Sequence, residues 1–149
     1  MQKNLEALGD VQYTQQEIDF ALEMQRNNGK PEIGIDGKIR SLRETLKSPG
    51  GGSTDVGDVS YNVPVVSLNA TTAPKGVPWH SWSVVASSGM SIGHKGMLYA
   101  AKALGMTMVD IFKDSRLRDD IKREFDERIG EYEYDPFLDP GPPPLDYVD

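Results

Sequence analysis

The chain has 149 residues, a length that suits one domain with one hydrophobic core. Its formal net charge of −7 disfavours a nucleic-acid-binding protein, which normally carries a basic surface. The absence of cysteine excludes disulfides, thiolate metal sites and cysteine nucleophiles. No apolar run approaches the roughly 18–20 residues of a membrane span, and no signal-peptide pattern opens the sequence, so we expect a cytoplasmic protein without a membrane partner.

The first clear helix signal is a capping-box pattern. Thr14 and Glu17 are three residues apart, so that each side chain can satisfy a free backbone N–H group at a helix start. The apolar stripe that follows predicts a helix ending near residue 27, before the turn-forming run 28–31. Residues 31–47 stay ambiguous, because their apolar spacing suits a helix while two glycines weaken its start.

The middle of the chain predicts a loop and two strands. Ser48–Gly52 has almost no side chains to pack and is predicted as a loop. Val63–Leu68 predicts a strand, at whose start or edge a proline is tolerated, and Trp82–Ala86 predicts a second, shorter strand. Between Val59 and His94 the only fixed charge is Lys75, which indicates that much of this stretch is buried.

Two helices are predicted near the end of the chain. The stronger one runs from Ser91 to about Phe112 and carries small residues that permit close backbone approach: Gly93, Gly96, Ala100, Ala101 and Ala103. Asp114 or Ser115 then caps a last helix, in which apolar residues recur every four positions: Leu117, Ile121, Phe125 and Ile129. The acidic-aromatic and proline-rich tail beyond Gly130 is predicted to be irregular.

The two histidines are the first candidates for chemistry. His80 lies in a loop between two tryptophans, and a neutral imidazole is a common zinc ligand, although a structural role remains open. His94 falls in the first turn of the glycine-containing helix, where the helix dipole disfavours protonation. It is therefore either a neutral donor toward a substrate carbonyl or carboxylate, or a structural residue.

The loop Gly50–Ser60 is the other candidate. Its glycines allow close backbone approach to a ligand, and Asp55 and Asp58 are placed to orient a metal-bound group or a cation. It lacks the lysine of a phosphate-binding Walker loop and the ligand spacing of an EF-hand, and a plain structural turn remains open. The serines at 87–91 lack a nucleophile-elbow pattern, so a serine hydrolase is disfavoured.

Three motifs in fixed order, Gly50–Ser60, Ala73–Trp82 and Gly89–Ala101, resemble the aminoacylase and carboxypeptidase-type zinc metallopeptidase family. The resemblance covers essentially the whole chain. It implies an α/β fold, as part of a three-layer α/β/α zinc-peptidase-like catalytic domain. It also implies one C-terminal portion in three parts: a helical segment at 1–47, active-site loops, strands and the glycine-containing helix at 48–112, and a terminal helix with a proline-rich tail at 113–149.

The resemblance also implies site residues. His80, in its His-Ser pair, matches the last protein ligand of a two-metal centre holding zinc or manganese. The remaining substrate-pocket candidates are Thr54, Asp55, Asp58, Ser81 and His94, and the role of His94 is open. Family members also contain a His-x-Asp motif, a bridging aspartate and a Glu-Glu pair whose first glutamate is the general base. This sequence has no His-x-Asp or Glu-Glu motif, so its ligand set is incomplete.

We therefore expect a C-terminal fragment of a metal-dependent amidohydrolase that hydrolyses the amide of N-acyl or p-aminobenzoyl amino acids such as aminobenzoyl-glutamate. The expected partners are that small-molecule substrate and other copies or subunits in a homo- or hetero-oligomer. The alternative is a non-catalytic subunit or interaction module that pairs with a metallopeptidase.

Overall fold

A computed structural model of the chain describes residues 1–40, 54–136 and 141–142. The helices in these residues are α1 (Gln2–Leu8), α2 (Gln15–Asn27), α3 (Val56–Ser60), α4 (Trp82–Ser88), α5 (Ser91–Lys113) and α6 (Ser115–Ile129). The chain divides into two compact units. The first unit is Met1–Ser48 with Ser67–Ser115, and the second is Pro49–Val66 with Arg116–Asp149.

The predicted α/β fold is wrong, because the described ranges contain helices and no strand. The predicted strand Val63–Leu68 has no regular structure. A strand exists only when a neighbour completes its hydrogen-bond ladder, and no backbone hydrogen bond joins residues 64–70 to any other described residue. Its valines are also exposed: Val63, Val65 and Val66. The alternating pattern therefore did not produce a sheet.

The second predicted strand, Trp82–Ala86, is part of helix α4. The valines in this segment favoured a strand, but Ser83 and Ser87 are four residues apart and both fully buried. The Ser87 hydroxyl donates to the Ser83 carbonyl at 2.7 Å, within the helix. These two small buried side chains lie on one face, as α4 packs against α5. Packing of that face overrode the strand propensity.

Helix α5 organises the first unit, because α1 and α4 both pack against it. The buried apolar side chains of this unit are Ala21, Met24, Val77, Ile92 and Ala103. As predicted, small residues allow the close approach. A Cβ atom added at Gly93 would lie 2.5 Å from the Ser88 Cα, and one at Gly96 would lie 3.0 Å from the Thr71 carbonyl carbon.

The capping box at the start of α2 is confirmed. The Thr14 hydroxyl accepts from the Glu17 backbone N–H at 3.3 Å, and the Glu17 carboxylate accepts from the Thr14 N–H at 2.7 Å. Helix α2 ends at Asn27, as predicted. Of the ambiguous segment, residues 31–40 are not helical, and residues 41–47 lie outside the described ranges, as does the predicted loop Ser48–Gly52.

The two late helices are also confirmed, as α5 spans Ser91–Lys113 and α6 spans Ser115–Ile129. On α6 the half-buried residues are the predicted stripe: Leu117, Ile121, Phe125 and Ile129. Residues 133–136 are irregular, as expected, and most of the proline cluster lies outside the described ranges. None of the described helices is long and apolar enough to cross a membrane.

Candidate functional site

The loop that carries His80 has an uncommon backbone conformation. His80 has a φ of 59°. Among the described residues it is the one non-glycine residue with a positive φ. This left-handed region disfavours most side chains, and such conformations often occur at functional sites. The His80 side chain is exposed. The neighbouring Trp79 and Trp82 are also exposed, at 70% and 59%.

Helix α2 holds this loop on both sides of His80. Upstream, the Gln25 amide donates to the Lys75 carbonyl at 2.7 Å. Downstream, the Asn28 amide donates to the Ser83 hydroxyl at 2.7 Å. Within the loop, the Ser81 hydroxyl donates to the Pro78 carbonyl at 2.5 Å, so the predicted pocket residue Ser81 is engaged in a local turn.

Gln25 is fully buried and uses both ends of its amide. Its nitrogen also donates to the Gly34 carbonyl at 2.8 Å, and its oxygen accepts from the Gly34 N–H at 2.8 Å. A further hydrogen bond, from the Lys75 N–H to the Gly34 carbonyl at 3.1 Å, joins the two loops directly. Two loops are thus joined through one side chain, and the His80 loop begins from this fixed point.

The second candidate segment, Thr54–Asp58, belongs to the second unit and is exposed throughout. It is a turn leading into α3, in which the Thr54 hydroxyl accepts from the Val56 N–H at 3.4 Å. A hydrogen bond between the Asp58 carboxylate and the Tyr134 hydroxyl raises the pKa of Tyr134. Asp58 therefore binds the aromatic tail of its own chain. Gly50–Ser53, the remainder of the predicted loop, lies outside the described residues.

His94 lies in the first turn of α5, as predicted, and its side chain is exposed. Its backbone N–H donates to the Met90 carbonyl at 3.0 Å. Three of the predicted site residues, His80, Ser81 and His94, belong to the first unit, while Thr54, Asp55 and Asp58 belong to the second.

The residue after His94 forms the main electrostatic feature of the first unit. Lys95 Nζ lies 2.6 Å from a Glu17 carboxylate oxygen and donates to the Gln12 carbonyl at 2.9 Å. Burial raises the pKa of Glu17, but hydrogen bonds from Lys95, Ser91 and Thr14 outweigh it and lower the pKa from 4.5 to about 2. Glu17 thus holds its charge at the start of both α2 and α5.

Tyr13 borders this ion pair. Lys95 Nζ lies 5.5 Å from the centre of its ring, a distance that suits a cation–π contact. Desolvation, followed by the charges of Glu17 and Asp36, raises the pKa of Tyr13. Its hydroxyl is buried without a hydrogen-bond partner among the described residues. It lines a small groove of about 260 Å³ that also includes Ile18 and Ile35.

The described residues do not fit a two-metal centre by themselves. In the ranges 1–40, 54–136 and 141–142, no group of three or more histidine, aspartate or glutamate side chains could hold a metal ion. Two adjacent ions need about three protein ligands each, counting a bridging one. His80, which the resemblance matches to a metal ligand, is exposed and belongs to no such group within these ranges.

Comparison with known proteins gives a match to one component of a hydrolase. The chain is 33% identical to a p-aminobenzoyl-glutamate hydrolase subunit of Escherichia coli (strain K12) over an alignment 148 residues long. The alignment covers 83% of the chain and 31% of that relative. The resemblance predicted from the three motifs is confirmed. The chain spans about a third of the relative's length. No protein-family model matches the chain, and no solved structure matches it.

Sequence reasoning missed the residues that build the surroundings of the site. Lys95 lies next to His94 in the motif Gly89–Ala101, and Glu17 was assigned to the capping box alone. Their pairing joins distant parts of the chain, so no local pattern indicated it. The same holds for Gln25, whose partners lie 9 and 50 residues away. A glutamine amid the apolar stripe of α2 was the one available hint.

Proposed function

We propose that the chain is a C-terminal portion of a metal-dependent amidohydrolase that splits p-aminobenzoyl-glutamate or related N-acyl amino acids. The observation that carries this proposal is the 33% identity to a p-aminobenzoyl-glutamate hydrolase subunit over 83% of the chain. The relative's name supplies the reaction and the substrate. The same name describes the relative as one subunit of its hydrolase, which supports assembly with further polypeptides.

The reaction is amide hydrolysis. The oxygen of water forms a bond to the acyl carbon, the carbon–nitrogen bond breaks, and the released amine takes up the proton. We assign to this chain the presentation of His80, which the α2 contacts hold on an exposed loop. In the proposal His80 is one ligand of a zinc or manganese centre. The other ligands and the general base come from polypeptide other than the described residues, since these hold no metal-binding group.

The pocket candidates remain part of the proposal in different ways. Ser81 and His94 are in the same unit as His80, and we propose that they face the substrate side of the complete site. Thr54 and Asp55 are exposed, as a pocket-forming loop requires. Asp58 would first have to release the Tyr134 hydroxyl that it binds.

A second candidate function is a non-catalytic subunit or interaction module that pairs with a metallopeptidase. The observation that favours it is the missing ligand group in the described residues. In this case the chain would be needed for activity of the partner, but the imidazole of His80 would not.

The test supplies the missing polypeptide. The full chain is co-expressed with the E. coli relative from which the matched portion has been removed, and release of p-aminobenzoate from p-aminobenzoyl-glutamate is measured with and without a chelator. We expect activity only when both polypeptides and the metal are present. His80→Ala should lower the rate by about 100-fold or more, because a metal ligand is lost. Lys122→Ala, at an exposed position of α6, is the matched control.

Two results would separate the hypotheses. Activity that needs the chain but survives His80→Ala supports the interaction module. A stable complex that releases no p-aminobenzoate under any metal condition contradicts the hydrolase proposal.

A further inference from the structure

The inner face of α5 is already covered. Ile92, Gly96 and Ala103 are buried on this face, and α1 and α4 pack against the helix. The Asn4 side chain donates to Thr107 and Asp110 at 3.1 and 2.7 Å, which fixes α1 to the C-terminal half of α5. The inner face therefore accounts for the packing of the first unit.

A second apolar face of the same helix is open to solvent. We define the outer face of α5 as Met97, Ala101, Leu104 and Met108, whose spacing of four, three and four places them on one side of a helix. Met97, Leu104 and Met108 are 60%, 45% and 56% exposed. None of the four positions carries a charge.

The apolar surface extends beyond these four residues. Leu98 and Val109 flank the outer face and are also exposed, at 55% and 49%. Val109 further lines an open groove of about 490 Å³ between α1 and α5, together with the apolar Leu8 and Met106 and the charged Lys102 and Asp110. Exposed apolar side chains therefore occur along α5 from Met97 to Val109.

An apolar face on a helix is normally buried against another surface, while charged residues occupy the solvated side. None of the described helices has the length and hydropathy of a membrane span. Solvated surface helices carry charges on their outer side, as α6 does with its ion pairs Lys122–Asp126 and Arg128–Glu124. The outer face of α5 lacks this pattern.

We propose that the outer face of α5 is the surface on which the chain docks to the complementary part of its hydrolase, an uncharged apolar helix or sheet face. This inference rests on the proposed function. The relative extends for about two-thirds of its length beyond the portion that the chain matches, so it has polypeptide to cover a 23-residue helix. His94 precedes Met97 by one helical turn, and docking there would enclose its imidazole.

The binding test uses the full chain and the E. coli relative without its matched portion. The wild-type chain should capture that polypeptide. Met97→Glu and Met108→Glu should each weaken capture by about tenfold or more, because an unpaired charge would be buried in the interface. Ile33→Glu is the matched control, since Ile33 is 56% exposed, apolar and outside α5. Its capture should equal that of the wild type.

A thiol label gives a second reading that does not depend on charge. The chain has no cysteine, so Met108→Cys and Ile33→Cys each introduce a single reactive thiol. The increase in the mass of the chain measures how fast each thiol is labelled. We expect the Met108→Cys thiol to react freely in the isolated chain and about tenfold more slowly in the complex. The Ile33→Cys thiol should react equally in both.

Three results of the binding and labelling experiments would overturn the docking surface. They are failure of the wild-type chain to capture the polypeptide, capture that is equal for the Glu variants, and a Met108→Cys thiol that becomes protected as the concentration of the isolated chain rises. The last outcome assigns the face to a second copy of the chain. Capture without p-aminobenzoate release supports the docking surface and contradicts the hydrolase proposal. Release that is unaffected by Met108→Glu supports the hydrolase proposal and contradicts the docking surface.

Discussion

Glu17 holds a negative charge where two helices begin. Its side chain is 4% exposed, and it accepts from Lys95, from Ser91 at the start of α5 and from the Thr14 backbone. Because its pKa in the folded chain is about 2, the folded state favours the charged form over the protonated one. Stability should therefore depend on pH through this residue.

Replacing Glu17 with glutamine tests that dependence. At neutral pH we expect Glu17→Gln to lower the free energy of unfolding by about 1–2 kcal/mol, after discounting for solvent around the partly exposed Lys95. The folded pKa is below the unfolded value of 4.5, so the contribution is complete above that pH and is lost as the pH falls toward about 2. Urea unfolding of both proteins between pH 7 and pH 2 measures the difference.

The control for this prediction is Glu23→Gln on the exposed side of α2, which should change stability by less than about 0.5 kcal/mol. A wild-type advantage over Glu17→Gln that is the same at pH 2.5 and pH 7 would show that the carboxylate charge is not the source of the stabilisation.

The positive φ of His80 leads to a different residue-scale prediction. Glycine tolerates the left-handed region, whereas an L residue there loses about 1–2 kcal/mol. Both His80→Gly and His80→Ala remove the imidazole, so their comparison isolates the backbone. We expect His80→Gly to be more stable than His80→Ala by about 1 kcal/mol in thermal or urea unfolding, despite the greater freedom of glycine in the unfolded chain. Equal stability would contradict the left-handed conformation.

At the scale of elements, the close packing of α5 depends on particular glycines. A Cβ atom at Gly96 would lie 2.9 Å from the Thr72 methyl carbon and 3.0 Å from the Thr71 carbonyl carbon. At Gly105, on the same helix, it would meet nothing within 4 Å. The two positions therefore separate helix propensity from packing.

The matched pair Gly96→Ala and Gly105→Ala should change stability in opposite directions. Gly105→Ala should raise the free energy of unfolding by about 0.5–1 kcal/mol, because alanine is the better helix former. Gly96→Ala should lower it by about 1–3 kcal/mol, because the added methyl displaces the 71–72 backbone. Chemical denaturation of the three proteins gives both values, and stabilisation by both substitutions would argue against the contact with Thr71.

Helices were predictable at this scale because their signals are local. The capping box at Thr14 and Glu17, and the four-residue stripe of α6, specify their elements through residues within one turn. The strand at Val63–Leu68 was mispredicted for the opposite reason. Alternation shows which side chains suit a sheet, but a strand also needs a hydrogen-bonded neighbour, and residues 64–70 have none among the described residues.

At the scale of the whole molecule, Gln25 connects segments that are far apart in the chain. Removing its amide would leave the buried Gly34 N–H and the part-buried Lys75 carbonyl without this partner. The first unit would then lose the fixed point from which the His80 loop begins.

We expect Gln25→Ala to lower the free energy of unfolding by about 2–4 kcal/mol, since the buried Gly34 groups and the part-buried Lys75 carbonyl lose their hydrogen bonds to the amide. Amide hydrogen exchange gives the specific readout, because the Gly34 N–H should exchange faster. Gln16→Ala, at an exposed position of the same helix, should leave both measurements nearly unchanged. Unchanged exchange at Gly34 in Gln25→Ala would contradict the hydrogen bonds between the Gln25 amide and Gly34.

The sequence by itself determined two features of this protein: the boundaries of α2, α5 and α6, and the three-motif resemblance to a hydrolase family. Each depends on residues that are neighbours along the chain. Only the tertiary structure decided that residues 64–70 carry no strand, that Gln25 and Lys95 hold the core contacts, and that α5 has an uncovered apolar side. These features depend on partners far away in the chain, and local patterns carry no record of which distant groups meet.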